Sequence, residues 1–243
     1  MIKKVFLTSF LLTVAALSVC GQNLQLHFDP RRTIHGTDDF ARNYVTSTFE
    51  MFKPDQWGST FMFVDLDFNM KKGNIGLAYM EIARDQNLGK LPIKAHVEFN
   101  GGLGKNLDNF GFSIENAYLL GASYPFSAGN FHFSTYAAYK LYTFGKNSHD
   151  VQWTLTWNAD FFDNKFTMSG FFDIWSQNKN KEKEGWKSGK KAVIIAEPQF
   201  WYNVTSNLSL GTEIEISSNF YTNAATKEDK AFVNPTLAAK WNF

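Results

Sequence analysis

Apolar and polar residues alternate along most of this chain with a period of two. In Val151–Phe162, Val151, Trp153, Leu155, Trp157, Ala159 and Phe161 oppose Gln152, Thr154, Thr156, Asn158 and Asp160. In Phe131–Phe144, Phe131, Phe133, Thr135, Ala137, Tyr139 and Leu141 oppose His132, Ser134, Tyr136, Ala138, Lys140 and Tyr142. The closing stretch Phe232–Phe243 sets Val233, Leu237, Ala239, Trp241 and Phe243 against Asn234, Thr236, Lys240 and Asn242. Successive side chains of an extended chain point to opposite faces, so each stretch reads as a strand with one apolar face. The same reading predicts strands at Leu24–Asp29, Arg42–Lys53, Ser59–Asn69, Ile75–Arg84, Ile93–Asn100 and Phe112–Ser123. It continues with Phe166–Ser176, Ala192–Asn203 and Leu208–Ser217, giving about twelve strands in all.

An apolar strand face running to the last residue has nothing to cover it in water, although the closing strand of a soluble sandwich is the alternative. It is satisfied if the face meets lipid and the last strand pairs with the first. The pattern therefore predicts an all-β fold, a transmembrane antiparallel β-barrel with both termini periplasmic, as an even strand count requires. Alternate connections then face outward: Pro30–Ala41, Met70–Asn74, Gly101–Gly111, Gly145–Asp150, Gln177–Lys191 and Ser218–Ala231. The inward set is Pro54–Gly58, Asp85–Pro92, Tyr124–Asn130, Asp163–Lys165 and Val204–Asn207. The longest connections fall outside, and the inward ones are built on Pro, Gly, Asn and Asp, the residues of tight turns. The terminal Phe243 after alternating apolar residues resembles the C-terminal assembly signal of bacterial outer-membrane barrels, which implies the barrel assembly machinery as a partner.

Met1–Lys4 carries Lys3 and Lys4, and Val5–Val19 is apolar apart from Thr8, Ser9, Thr13 and Ser18. That is a secretory signal, too short to stay as a membrane helix. Residues 1–21 are predicted to be removed after Gly21, leaving residues 22–243 as a single barrel domain. Lipidation at Cys20 is the alternative fate. Cys20 is the only cysteine, so the mature barrel would hold no disulfide. Aromatics make up 17 % of the chain, more than a soluble core needs and suited to girdles at two lipid interfaces. A net charge of +1 speaks against nucleic acid as a partner.

Little chemistry is encoded. His27, His35, His96, His132 and His149 lie on separate strands or loops without metal-ligand spacing, so neither a metal nor a cofactor is expected. His132 and Ser134 share a lumen face, which keeps open an outer-membrane barrel enzyme acting on lipids, although no third catalytic group is evident. The charge run in Gln177–Lys191, with Lys179, Lys181, Lys183, Lys187, Lys190 and Lys191 against Glu182 and Glu184, reads as a solvated tip or as a contact for lipopolysaccharide phosphates.

The lumen face of the first half carries the candidate site. Glu50 and Phe52 share a side with Tyr44, Thr46 and Thr48. Phe61, Phe63, Asp65 and Asp67 oppose the lipid-suited Met62, Val64, Leu66 and Phe68. Tyr79 and Glu81 oppose Met80 and Ile82, and Lys94, His96 and Glu98 oppose Ile93, Ala95, Val97 and Phe99. Carboxylates facing lipid near the midplane are disfavoured, so these acids should point inward. One role is a structural plug, with Glu81 or Glu98 paired to Lys94 or Arg84. The other is recognition of a solute by aromatic faces and hydrogen-bonding carboxylates.

Glu50-Met51-Phe52, then Trp57, then Asp65 resembles a spacing of the Tsx-like nucleoside channels of Gram-negative outer membranes. Tyr79-Met80-Glu81-Ile82 with Arg84 is similar to a second motif of that family, and Trp241-Asn242-Phe243 to its aromatic-Asn-Phe terminus. Related Tsx-like families look closer still over Val45–Asp67. The match covers the N-terminal third well and the rest only as strand pattern. It implies a narrow, monomeric, twelve-stranded channel in the outer membrane, surrounded by lipid and lipopolysaccharide, that passes nucleosides by diffusion. This chain is shorter than the family's better-known members and departs in its second half, which bears on the substrate more than on the fold.

Overall fold

A computed structural model describes residues 21–30, 33, 43–106, 108, 110–143, 148–179, 189–222 and 229–243. Residues 1–20 of the predicted leader 1–21 and the tip of the charged connection at 180–188 lie outside the described residues, while Gly21 is already the first residue of a strand, opposite Phe52.

Alternation becomes wall. The strands are β1 (Gly21–Phe28), β2 (Val45–Asp55), β3 (Gly58–Asp67), β4 (Leu77–Asn87), β5 (Lys94–Lys105), β6 (Gly111–Ala128) and β7 (Phe131–Thr143). They continue as β8 (Ser148–Phe161), β9 (Phe166–Asn178), β10 (Lys190–Ala196), β11 (Gln199–Asn203), β12 (Leu208–Thr222), β13 (Asp229–Pro235) and β14 (Leu237–Asn242). β1 to β9 each pair antiparallel with the next, and β1 pairs with β14, Asn23 opposite Asn242 and Phe28 opposite Leu237. The sheet closes on itself. Both described ends of the barrel chain meet at one rim.

The structure has twelve staves, because two are interrupted by proline. β10 and β11 both lie between β9 and β12, in one continuous register across Glu197-Pro198. β13 and β14 likewise share β12 as a neighbour across Pro235. A proline has no N–H to give the ladder, so each stave breaks locally without losing register. Pro235 stands opposite Ile214, whose N–H donates to the Pro198 carbonyl at 3.0 Å on the other side. Gly170 continues this row on β9 with φ +148, and a Cβ there would come within 2.4 Å of the Glu197 carbonyl oxygen. Only glycine fits so close to the neighbouring backbone.

Outward positions are apolar and exposed, among them Leu24, Leu26, Val97, Leu120, Val151, Leu210, Val233 and Leu237. Inward positions are polar and buried, with Gln25, Ser123, Ser209, Ser217 and Asn234 all at or below 1 % exposure. This inside-out arrangement is the one a bilayer selects. At the rim with the tight turns, ring contacts link Tyr124, Phe126, Phe133, Phe131, Phe161, Phe166 and Phe200 from β6 to β11. That run of aromatics forms an arc of the expected interfacial girdle.

Several boundaries differ from the sequence reading: β5 runs to Lys105 and β12 to Thr222, into the predicted connections Gly101–Gly111 and Ser218–Ala231. The predicted connection Tyr124–Asn130 is strand as far as Ala128, leaving only Gly129 and Asn130 in the turn. Its polar and Pro-containing sequence is tolerated because this end of the hairpin carries the girdle. Likewise β4 continues past Arg84 to Asn87, where its pairing with β5 and the turn ends.

Candidate functional site

Three groups of inward side chains line the lumen. On β1–β4, alternation and register place the acids beside aromatics. Asn23 donates to Glu50 at 3.0 Å, Thr48 to Asp65 at 2.5 Å, and Tyr79 to Glu81 at 2.6 Å. Phe61, Phe63 and Tyr79 form a ladder of rings with centroids 6.1 and 6.0 Å apart. Phe61, Phe63, Asp65, Tyr79 and Glu81 are half-buried and face the lumen together. Phe52 is 48 % exposed at the mouth. Asp67 is instead buried and bound by Thr46 at 2.6 Å and Tyr44 at 3.0 Å.

On β4–β8 a buried network replaces the aromatic ladder. His96 lies 2.8 Å from Asp85 and 3.1 Å from Glu98, and its ring stacks on Tyr136 at 3.9 Å and 18°. Tyr136 donates to Glu98, Gln152 donates to Tyr136, and Lys140 donates to Gln152 at 2.6 Å. Such chains of buried polar groups hold one arrangement because each member depends on the next. Glu98 is 4 % exposed, so of the predicted site residues it and Asp67 are the two most enclosed.

The third group lies on β9–β14 and was not anticipated. Gln199 donates to Glu213, Trp201 to Gln199, and Asn234 to Glu215. Lys240 sits 4.2 Å above the buried Trp201 ring, which His27 meets edge-on. Acids of facing walls are within electrostatic reach, Asp65 of Glu213 and Glu197 of Asp65. The same alternation that marked the first half could have found Asp173, Glu197, Glu213 and Glu215, since each falls on an inward position.

The plug pairings expected for Arg84 and Lys94 are not the ones formed. Arg84 falls on the outer face and grips Asp55 at the end of β2, because its parity matches Ile82 and Met80 rather than Glu81. The lumen cations within electrostatic reach of Glu81 and Glu50 are Lys140 and Lys240. His132 meets Ser127 at 3.0 Å. Lys190, at one end of the predicted charge run, pairs with Asp150 at 2.6 Å. Among the described residues no three His, Cys, Asp or Glu side chains gather as metal ligands would.

A family model described as a domain of unknown function (DUF5020) matches residues 21–243. None of the curated proteins compared with the chain matches it in sequence. Among solved structures, the outer membrane channel DcaP of Acinetobacter baumannii is 12 % identical with a TM-score of 0.40, over 84 % of this chain and 64 % of that one. Pseudomonas aeruginosa OccK5 (OpdH) is 10 % identical with a TM-score of 0.40, over 90 % and 63 %. A bacterial polysaccharide outer membrane secretin is 8 % identical with a TM-score of 0.42, over 93 % and 99 %. The alignments span less than two thirds of DcaP and of OccK5.

Proposed function

We propose that this chain, which belongs to the DUF5020 family, is an outer-membrane channel for passive uptake of small solutes, nucleosides first among them. The observation that carries this reading is the half-buried ladder Phe61–Phe63–Tyr79 flanked by Glu50, Asp65 and Glu81 on one lumen wall. Aromatic faces accept a planar base, and carboxylates accept hydrogen bonds from sugar hydroxyls. The Tsx-like spacing of Glu50-Met51-Phe52, Trp57 and Asp65 supports the same solute. Binding must stay weak for release, so millimolar affinity is expected. Purified protein in planar bilayers should show current block by adenosine or thymidine. A current that neither nucleoside alters removes the nucleoside and leaves the pore.

A second reading has its own support. Gln25, Ser123, Asn234 and Trp201 are almost wholly enclosed, and the network from Asp85 to Lys140 crosses several staves. That is the packing of a plugged structural barrel. Liposome swelling with small sugars separates the two readings: swelling requires an open lumen.

A further inference from the structure

Lys140 is a buried lumen side chain whose surroundings look like a ligand's. It is 5 % exposed, and its Nζ donates to Gln152 Oε1 at 2.6 Å. The ammonium lies 4.5 Å from the Trp175 ring centre and 5.2 Å from that of Tyr142. Its strongest electrostatic partners are Glu81, Glu98 and Asp173, which come from β4, β5 and β9. No carboxylate among the described residues pairs with it directly.

The carboxylates around it are under-used. Glu98 Oε1 and Asp173 Oδ1 are buried and have no hydrogen-bond partner in the protein, and neither has Oδ1 of Asn100, which pairs across the strands with Glu81. Glu98 and Asn100 are 4 % and 5 % exposed. A buried acceptor without a donor is costly, and a buried carboxylate more so. Three acids, two aromatic faces and the Gln152 acceptor therefore surround the Lys140 ammonium, with the unpartnered Asn100 oxygen across the strands from Glu81. Aromatic faces and carboxylates together are how proteins recognise ammonium groups.

We propose that this cluster is a binding site for a primary alkylammonium solute, and that Lys140 occupies it as a tethered stand-in. The Gln152 acceptor calls for an N–H donor, which a primary ammonium has and a quaternary one lacks. The inference rests on the solute-facing lumen of the proposed channel, but not on its choice of nucleosides.

The test removes the tether. Lys140→Ala, folded in detergent, is heated with n-butylammonium chloride or with sodium chloride at the same ionic strength. The amine should raise its unfolding temperature saturably by at least about 2 °C over sodium, as a ligand of the native state does. The wild-type barrel, already filled by Lys140, should show no such difference, and tetramethylammonium should act weakly on the variant. If Lys140→Ala folds only with the amine present, that rescue counts for the site. If it fails with and without the amine, Lys140→Gln, which keeps most of the side-chain volume, is read in the same way with ammonium against sodium chloride. An amine effect no larger than that of sodium, or one equal in wild type, overturns the proposal. Conductance of the same preparations is read separately. A variant that binds the amine in a barrel passing no current keeps the site and loses the channel.

Discussion

Arg84 grips Asp55 with two nitrogens, Nη1 to Oδ2 at 2.6 Å and Nη2 to Oδ1 at 2.9 Å. Gln86, two residues on, donates to the Trp57 carbonyl at 2.9 Å, so β4 holds the β2–β3 turn from below. Lys53, Thr60, Arg84 and Gln86 share the outer face at this rim, where Met62 and Ile82 have given way to polar side chains. The change marks the edge of the hydrocarbon band.

The clamp has a pH signature. The Arg84 hydrogen bond, helped by the Trp57 N–H, holds the Asp55 carboxyl well below its ordinary range, at about 2. A depressed carboxylate stabilises the fold above its unfolded pKa and loses that contribution as pH falls through the folded value. The stability difference between wild type and Arg84→Met should therefore stay constant from neutral pH to about 4, then shrink towards about 2. Urea titrations at stepped pH would show it. A difference that vanishes already near pH 5 would mean the pair does not set it.

The lipid face can be tested with one charge. Leu120, midway along β6 and 63 % exposed, points outward. Leu120→Arg should cost about 2–4 kcal/mol in a bilayer, whereas Phe110→Arg at the rim should cost about 0–1 kcal/mol. Equal costs would argue against a membrane around this face. Unboiled wild type should also run differently from boiled protein on a gel, as a closed barrel resists detergent.

Within the lumen, Trp201 is fully enclosed beneath Lys240. Trp201→Ala should destabilise the barrel by about 3–5 kcal/mol, measured by urea unfolding in detergent. A loss below about 1 kcal/mol would show that this wall is loosely packed.

The solute ladder makes a sharper demand. Stacking a base on one ring contributes about 1–3 kcal/mol, so Phe63→Ala should weaken nucleoside block by about 5- to 100-fold while the open-channel current persists. Glu50→Gln should weaken block too, because its carboxylate oxygen becomes an amide. Unchanged block in both variants would move the site elsewhere in the lumen.

The alternation of Val151–Phe162 or Phe232–Phe243 was enough, by itself, to assign each side chain to lipid or lumen and to predict about twelve strands. It also showed that the acids of β2–β5 point inward, because the face of a residue follows from its parity alone. Parity does not say which residue on one stave meets which on the next, since a slip of two positions leaves every face unchanged. Parity already set Arg84 on the face away from Glu81, but only the closed structure decided that it reaches Asp55, that Asp67 is bound by Thr46 and Tyr44, and that Lys140 rests on Trp175 among acids from three other staves. Those meetings depend on register and on distance across the lumen, and neither is written in a local pattern.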